Sequence, residues 1–387
     1  MDHFVIEGGH RLRGTIAPVG NKNAALPLLA ASLLSDDPLT LRNIPDIGDV
    51  RIKIELLRRL GVEVREEDEG ILTLSAAAIG SNEPDPLLSK RIRTAPLLAG
   101  PLLARRGYVT VGRPGGDRIG KRSLDTHFLA LQALGAHVEV TNEQYTLHAD
   151  RLKGTDILLD EMSVTGTEQA ILAAVLAEGT TRISNAASEP HVQDVCRCLE
   201  QMGAHITGIG TNTLTIEGVS SLHGADYCIG PDYMEVGSFI GLAAATGSEI
   251  RIANARPEEH RITRVMFGRL GVTWHDDGED IVVPAQQDLV IRTDRHNVIP
   301  KIQSTPWPGF PTDLVSIALV VATQAAGTVL IHDWMFENRL FFVDRLISMG
   351  AGVVICDPHR AIVAGPTPLY GETLVSPDIR AGMALLI

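Results

Sequence analysis

Leu60-Gly61-Val62-Glu63-Val64 is the phrase on which the fold turns, because the chain returns to it four more times. The repeats are Leu134-Gly135-Ala136-His137-Val138, Met202-Gly203-Ala204-His205-Ile206, Leu270-Gly271-Val272-Thr273-Trp274 and Met349-Gly350-Ala351-Gly352-Val353. Their glycines stand 74, 68, 68 and 79 residues apart. Each closes an apolar, helix-like run such as Ile54 to Leu60. Glycine supplies the left-handed residue that stops a helix, and the β-rich run behind it starts a strand. A second phrase keeps step with the first: an apolar helix, a turn, then a short strand. It reads Ala177-Glu178-Gly179-Thr180-Thr181-Arg182-Ile183-Ser184, then Ala245-Thr246-Gly247-Ser248-Glu249-Ile250-Arg251-Ile252, then Ala326-Gly327-Thr328-Val329-Leu330-Ile331. Two phrases in phase predict an α/β protein of repeated βαβαβ units, each about 70 residues long. Five units are complete. The apolar stretch Ile379 to Leu386 starts a sixth, which is expected to be incomplete at Ile387.

Composition fits that reading and excludes others. At 387 residues the chain has room for two or three domains. With 44% hydrophobic and 21% charged residues it is neither disordered nor fibrous. A formal charge of −13 speaks against a general nucleic-acid binder. Four cysteines (Cys196, Cys198, Cys228, Cys356) make no disulfide framework, so a reducing cytoplasm is expected. Cys196-x-Cys198 lacks zinc spacing, and Met1-Asp2-His3-Phe4 does not open an export signal. Leu314 to Ile331 carries no charge, but Thr323, Gln324 and Gly327 interrupt it. A helix, a stop and a strand account for it better than a membrane span.

Charge is unevenly placed. Lys90 to Arg122 holds nine basic residues (Lys90, Arg91, Arg93, Arg105, Arg106, Arg113, Arg118, Lys121, Arg122) against one acid, Asp117. A positive window in a negative protein suits a small phosphate- or carboxylate-bearing ligand, and a solvated basic surface is the alternative. Inside it, Gly112-Arg113-Pro114-Gly115-Gly116-Asp117-Arg118-Ile119-Gly120 has the composition of a loop that closes over a ligand, or of a plain turn. The other polar signals open apolar helices: Lys22-Asn23, Arg93-Thr94, Thr165-Gly166-Thr167, Asp232-Tyr233 and Thr312-Asp313. N-capping explains any one of them, whereas several together would bind an anion. Lys22 is the exception, since a cation at the positive end of a helix is locally unfavourable and asks for a ligand.

These residues together resemble the enolpyruvyl transferases, in particular those acting on a sugar nucleotide. The likeness runs from Phe4 to the end of the chain. It rests on Gly20-Asn21-Lys22-Asn23-Ala24-Ala25-Leu26-Pro27, Pro114 to Arg122, Phe310-Pro311-Thr312-Asp313 and Phe336-Glu337-Asn338-Arg339. The resemblance implies a two-domain inside-out α/β barrel with three repeats per domain, closing on substrate. One domain would be residues 1–21 plus 230–387, carrying Asp313. The other would be 22–229, carrying the basic window and the catalytic loop 112–122. The implied reaction moves the enolpyruvyl group of phosphoenolpyruvate to the 3′-hydroxyl of UDP-N-acetylglucosamine and releases phosphate, a committed step towards peptidoglycan.

By position, Lys22 and Arg122 would hold the phosphate and carboxylate of phosphoenolpyruvate, Asp117 would be the general acid, and Asp313 would lie beside the attacking hydroxyl. Asn23, Arg93, Ser123, Leu124, Asp125, Thr126, Ser163, Val164, Thr165, Met335 and Arg380 would line the substrate site. The resemblance calls for no cofactor, metal, nucleic acid or membrane. Three departures accompany it. Asp117 stands where the family usually has Cys. Ser123-Leu124-Asp125-Thr126 replaces the common Pro-Val-Asp-Leu, and Glu161 replaces a frequent Lys, both beside the uracil pocket. A C-terminal family arginine that grips the phosphoenolpyruvate carboxylate has no counterpart, Arg380 matching a different one. Transfer to another nucleotide or a shikimate-type acceptor, or sugar-nucleotide binding without turnover by a truncated paralogue, therefore stay open.

Overall fold

All five glycines of the recurring phrase are left-handed, with φ of 99° at Gly61, 100° at Gly135, Gly203 and Gly350, and 85° at Gly271. A β-carbon is disfavoured there, which is why glycine ends each helix. The computed structural model describes residues 4–116, 123–293 and 296–387. They divide into two compact units. The middle unit comprises 19–116 and 123–230, the terminal unit 4–18 and 231–387.

The chain opens with strand β1 (Arg13–Ile16) of the terminal unit. The middle unit follows with helix α1 (Lys22–Ala31), β2 (Leu39–Arg42), α2 (Gly48–Leu60) and the hairpin β3 (Glu63–Asp68) and β4 (Ile71–Ser75). Next come α3 (Pro86–Ser89), α4 (Ala99–Arg106), β5 (Tyr108–Gly112), α5 (Asp125–Ala133), β6 (His137–Val140) and β7 (Gln144–His148). Its third repeat is β8 (Asp156–Leu158), α6 (Val164–Ala174), β9 (Thr180–Ser184), α7 (Pro190–Gln201), β10 (His205–Thr207) and β11 (Thr213–Glu217), and β12 (Ala225–Cys228) closes the unit. The terminal unit resumes with α8 (Tyr233–Thr246), β13 (Glu249–Ile252), α9 (Arg261–Gly268), β14 (His275–Asp277) and β15 (Asp280–Val283). Then follow β16 (Lys301–Gln303), α10 (Val315–Gln324), β17 (Gly327–His332), α11 (Val343–Ser348), β18 (Val353–Asp357), β19 (Arg360–Gly365) and α12 (Ile379–Leu386).

The repeat carries one more strand than the expected βαβαβ, because the run after each glycine turns back as a hairpin. Four sheets share one plan: a parallel pair, then two antiparallel strands, as in β8, β9, β11, β10 and β16, β17, β19, β18. The fifth, β5-β7-β6, has three strands. The five sheets are separate, and no closed barrel forms among the described residues. Two parallel pairs join distant parts of the sequence: β1 lies on β13 and β12 on β2, with Arg13 beside Glu249 and Ala225 beside Leu39.

Helices, rather than sheets, fill the interior. Ala24 to Ala31 of α1, Gly166 to Ala174 of α6 and Val315 to Thr323 of α10 are buried without a break. A helix apolar on every side is stable only inside the protein. Each buried Leu, Val or Ile there contributes roughly 1.5–3 kcal/mol. In the middle unit α1 packs on α2 and α7, and α4 and α5 pack on α6; in the terminal unit α10 packs on α8 and α12. Each unit has its own core. The expected helix after Asp378 is α12. It buries Ala381 and Ala384, while Leu386 stays 44% exposed.

Candidate active site

The middle unit holds most of the residues singled out from sequence. Asn21 caps α1, its side chain accepting from the Asn23 amide at 2.8 Å, and its own amide donates to Gly230 O. This places Lys22 and Asn23 in the first turn, half-buried. Lys22 Nζ lies 3.6 Å from Asp49 Oδ2, in the first turn of α2. From sequence a ligand is the better reason for Lys22; the fold adds a carboxylate beside it. Ser163 caps α6 through the Gly166 amide, and Asp232 caps α8 through Met234, so capping explains these helix starts. Arg93-Thr94 and Thr312-Asp313 make no such cap.

Arg93 donates to Ser123 O at 3.1 Å, which joins it to the segment leading into α5. There Asp125 is exposed, Leu124 is buried, and Thr126 donates to Asp160 at 2.6 Å. His127, one residue on, meets Thr165 Oγ1 at 2.9 Å through Nε2. Burial, reinforced by Arg93, pushes its imidazole down to about 3, so it is neutral at physiological pH. Arg93, Ser123 to Thr126 and Ser163 to Thr165 thus form one connected patch. Behind Arg93, buried Lys53 of α2 donates to Thr94 O at 2.8 Å. Burial lowers that ammonium to about 7 against the opposing pull of Glu168, and Glu168 is itself held well above the carboxylate range by burial, with Glu189 adding to the effect.

The base of the glycine loop is packed. A β-carbon at Gly115 would stand 1.9 Å from Lys90 O, and one at Gly116 would stand 2.9 Å from Arg93 Cβ. Asp117 and Arg122, the proposed general acid and phosphate ligand, lie outside the described residues. The basic window is not one site. Arg105 donates to Leu33 O and Ser35 O and pairs with Asp36; Arg106 bonds Asn82; Arg113 donates to Thr141 O. Those three cations hold the fold, a role that a count of charges in sequence does not distinguish.

The terminal unit holds Asp313, Met335 and Arg380. Asp313 lies in the turn Thr312–Leu314 before α10, where Oδ1 accepts from Arg339 Nη2 at 2.7 Å and Oδ2 from Arg380 Nε at 3.0 Å. Arg339, 2% exposed, also lies 3.9 Å from Asp333 and 3.6 Å from Asp378. Buried Asp333 accepts from Ser304, Thr312 and the Met335 amide, which fixes the backbone at Met335. Asp378 caps α12 through the amides of Arg380 and Ala381. Burial opposes the charge of Arg380, yet Asp313 and then Asp232 outweigh it and hold the guanidinium above its ordinary value. Arg339, Asp333 and Asp378 had no role assigned from sequence. Arg339 ends a quoted motif, but its partners are spread from 313 to 378, and no spacing rule links them.

The four cysteines are free thiols. Burial pushes Cys196 and Cys198 on α7 up to about 12, so they are inert.

Comparison with known proteins bears on the family of the chain as a whole. A protein of Treponema denticola described as UDP-N-acetylglucosamine 1-carboxyvinyltransferase is 52% identical over 387 residues, 100% of this chain and 91% of that one. One of Bradyrhizobium diazoefficiens with the same description is 52% identical over 384 residues, 99% of this chain and 89% of its own. Among solved structures, the enolpyruvyl transferase NikO from Streptomyces tendae superimposes with a TM-score of 0.86 at 23% identity, covering 98% of this chain and 89% of that one, which speaks for the fold. EPSP synthase from Acinetobacter baumannii gives 0.71 at 17% identity, with the same coverage. The profile of the family described as EPSP synthase (3-phosphoshikimate 1-carboxyvinyltransferase) matches residues 6–387, and with that span and those relatives the chain belongs to this family of enolpyruvyl transferases.

Proposed function

We propose that this chain is a transferase that moves the enolpyruvyl group of phosphoenolpyruvate to the 3′-hydroxyl of UDP-N-acetylglucosamine, releasing phosphate for the benefit of cell-wall synthesis. The observation that carries the choice of acceptor is the 52% identity, over the whole chain, to a relative described by that activity. Lys22 and Arg122 hold the phosphate and carboxylate of phosphoenolpyruvate. Asn23, Arg93, Ser123 to Thr126, Ser163 to Thr165 and Met335 line the sugar-nucleotide site. The reaction needs a proton delivered to the methylene carbon and one withdrawn from the hydroxyl, and then collapse of a tetrahedral phospho-ketal with cations on the departing phosphate. Asp117 delivers the proton. Asp313 orients the hydroxyl, and the two arginines that grip it keep its carboxylate fixed for that purpose. Arg380 acts by holding Asp313. The residues 1–21 plus 230–387 and 22–229 serve as the two domains, and the reaction takes place in the cytoplasm. Among the described residues no helix is long and apolar enough to cross a membrane.

The test is phosphate release from phosphoenolpyruvate by the purified chain, with UDP-N-acetylglucosamine, shikimate 3-phosphate or no acceptor. Release that depends on UDP-N-acetylglucosamine is expected. Release with shikimate 3-phosphate alone would move the chain to the other branch of its family, and binding of the sugar nucleotide without release would make it a non-catalytic paralogue.

A further inference from the structure

The three-stranded sheet carries a cluster that the active-site reading does not use. His137 on β6 and His148 on β7 are directly opposite in the antiparallel register. Their rings are stacked, with centroids 4.8 Å apart and 24° between planes. Glu139, two residues along β6 and so on the same face, has Oε1 3.7 Å from His137 Nε2. One ligand atom from each of the three lies within 4.8 Å of the others. All three side chains are exposed.

The other face of the hairpin explains why they stay together. Val138 pairs with Leu147, and Leu147 is 1% exposed while Val138 packs on the core. A one-residue slip of β6 would turn Val138 to the surface and bring a polar neighbour over buried Leu147, so burial favours the register that opposes His137 to His148. An exposed ion pair between His137 and Glu139 is worth about 0–1 kcal/mol and gives no reason for His148 to face them. A shared cation does give one. Imidazole nitrogens bind zinc-like ions at about 2.0–2.1 Å and carboxylates at about 2.0–2.2 Å, distances that solvent-exposed side chains on adjacent strands reach by side-chain rotation. Two nitrogens and one oxygen favour a borderline divalent transition ion over magnesium or calcium, which prefer oxygen alone.

We propose that His137, Glu139 and His148 bind one divalent transition-metal ion of the zinc, nickel or copper class, leaving at least one coordination position to water. The ion ties the edge strand β6 to β7 in the one sheet that has three strands rather than four. An edge strand stapled in this way is less available for pairing with another chain.

The full chain, freed of metal with a chelator, should be titrated with zinc chloride by calorimetry at about pH 7.5, with magnesium chloride as the control. One zinc ion per chain is expected, with no magnesium binding. Affinity should fall at least tenfold in H137Q and in H148Q and less in E139Q. All three positions are on the surface, so the variants should unfold at the wild-type temperature without metal, and zinc should raise that temperature most in the wild type, less in E139Q and least in H137Q and H148Q. Equal zinc binding by the H137Q/H148Q double variant, or no binding by the wild type at about 1 mM zinc, would overturn the proposal.

Discussion

The two units are built from the same repeat, yet they treat charge in opposite ways. In the terminal unit three carboxylates (Asp313, Asp333, Asp378) pair with two guanidiniums (Arg339, Arg380), with the Arg339 side chain only 3% exposed. In the middle unit Lys22 keeps 20% of its side chain in solvent and its nearest carboxylate, Asp49, is 3.6 Å away and 42% exposed. The first arrangement fixes positions and is costly to break. The second leaves a cation loosely paired at the surface. One repeated plan thus carries a tightly paired cluster in one unit and a loosely paired cation in the other, a contrast set by side chains.

Removing the central cation of the rigid cluster should have the largest effect. Arg339→Leu leaves buried carboxylates unpaired and should cost about 3–5 kcal/mol, read as a lower urea midpoint. A loss under about 1 kcal/mol would mean that the cluster is not held together by charge. Lys22→Ala should do the reverse. We expect less than about 1 kcal/mol in stability but about 1.5–3 kcal/mol in phosphoenolpyruvate binding, measured from concentration-dependent phosphate release. A variant with near-normal release would remove Lys22 from the site.

Lys53 offers a finer distinction, since it is a buried cation inside the middle unit. Its folded value of about 7 lies below the 10.5 of an unburied lysine. Between those values the unfolded chain holds a proton that the folded one lacks, so stability rises with pH, by up to about 1.4 kcal/mol per unit for this group. Urea midpoints at pH 7 and pH 9 (about the lower half of that window) should diverge in the wild type more than in Lys53→Met, and equal divergence would place the ammonium in solvent. The smallest effect is expected from Arg105→Gln. It should lower stability by about 1 kcal/mol with turnover per folded molecule unchanged, whereas a fall in turnover would return Arg105 to the anion site.

The repeat was legible because glycine is the residue that most readily takes left-handed backbone, and it stands at all five of these helix ends. The hairpins were less visible, since strands such as β14 (His275-Asp277) are polar, exposed and three residues long. Within the candidate site, the helix starts at Lys22-Asn23 and Thr312-Asp313 were legible from local sequence, and the structure puts a helix or helical turn at each. The rest was hidden because it consists of side chains that meet only after folding. Arg339 needed Asp313, Asp333 and Asp378 to acquire meaning, and Arg105 needed the carbonyls of Leu33 and Ser35 to lose the meaning that proximity in sequence had given it.

The pairing of β1 with β13 has a consequence for the chain while it is being made. Arg13 emerges from the ribosome 236 residues before Glu249, its neighbour in the sheet. At about 5–20 residues per second, β1 waits roughly 12–47 s for its partner strand. Every partner of β2 to β12 is synthesised within that interval, so the middle unit can complete itself during translation while the terminal one cannot begin. Strand β1, Arg13–Ile16, is then without its partner for the whole of that interval. For a nascent chain that is the stretch a chaperone would need to shield.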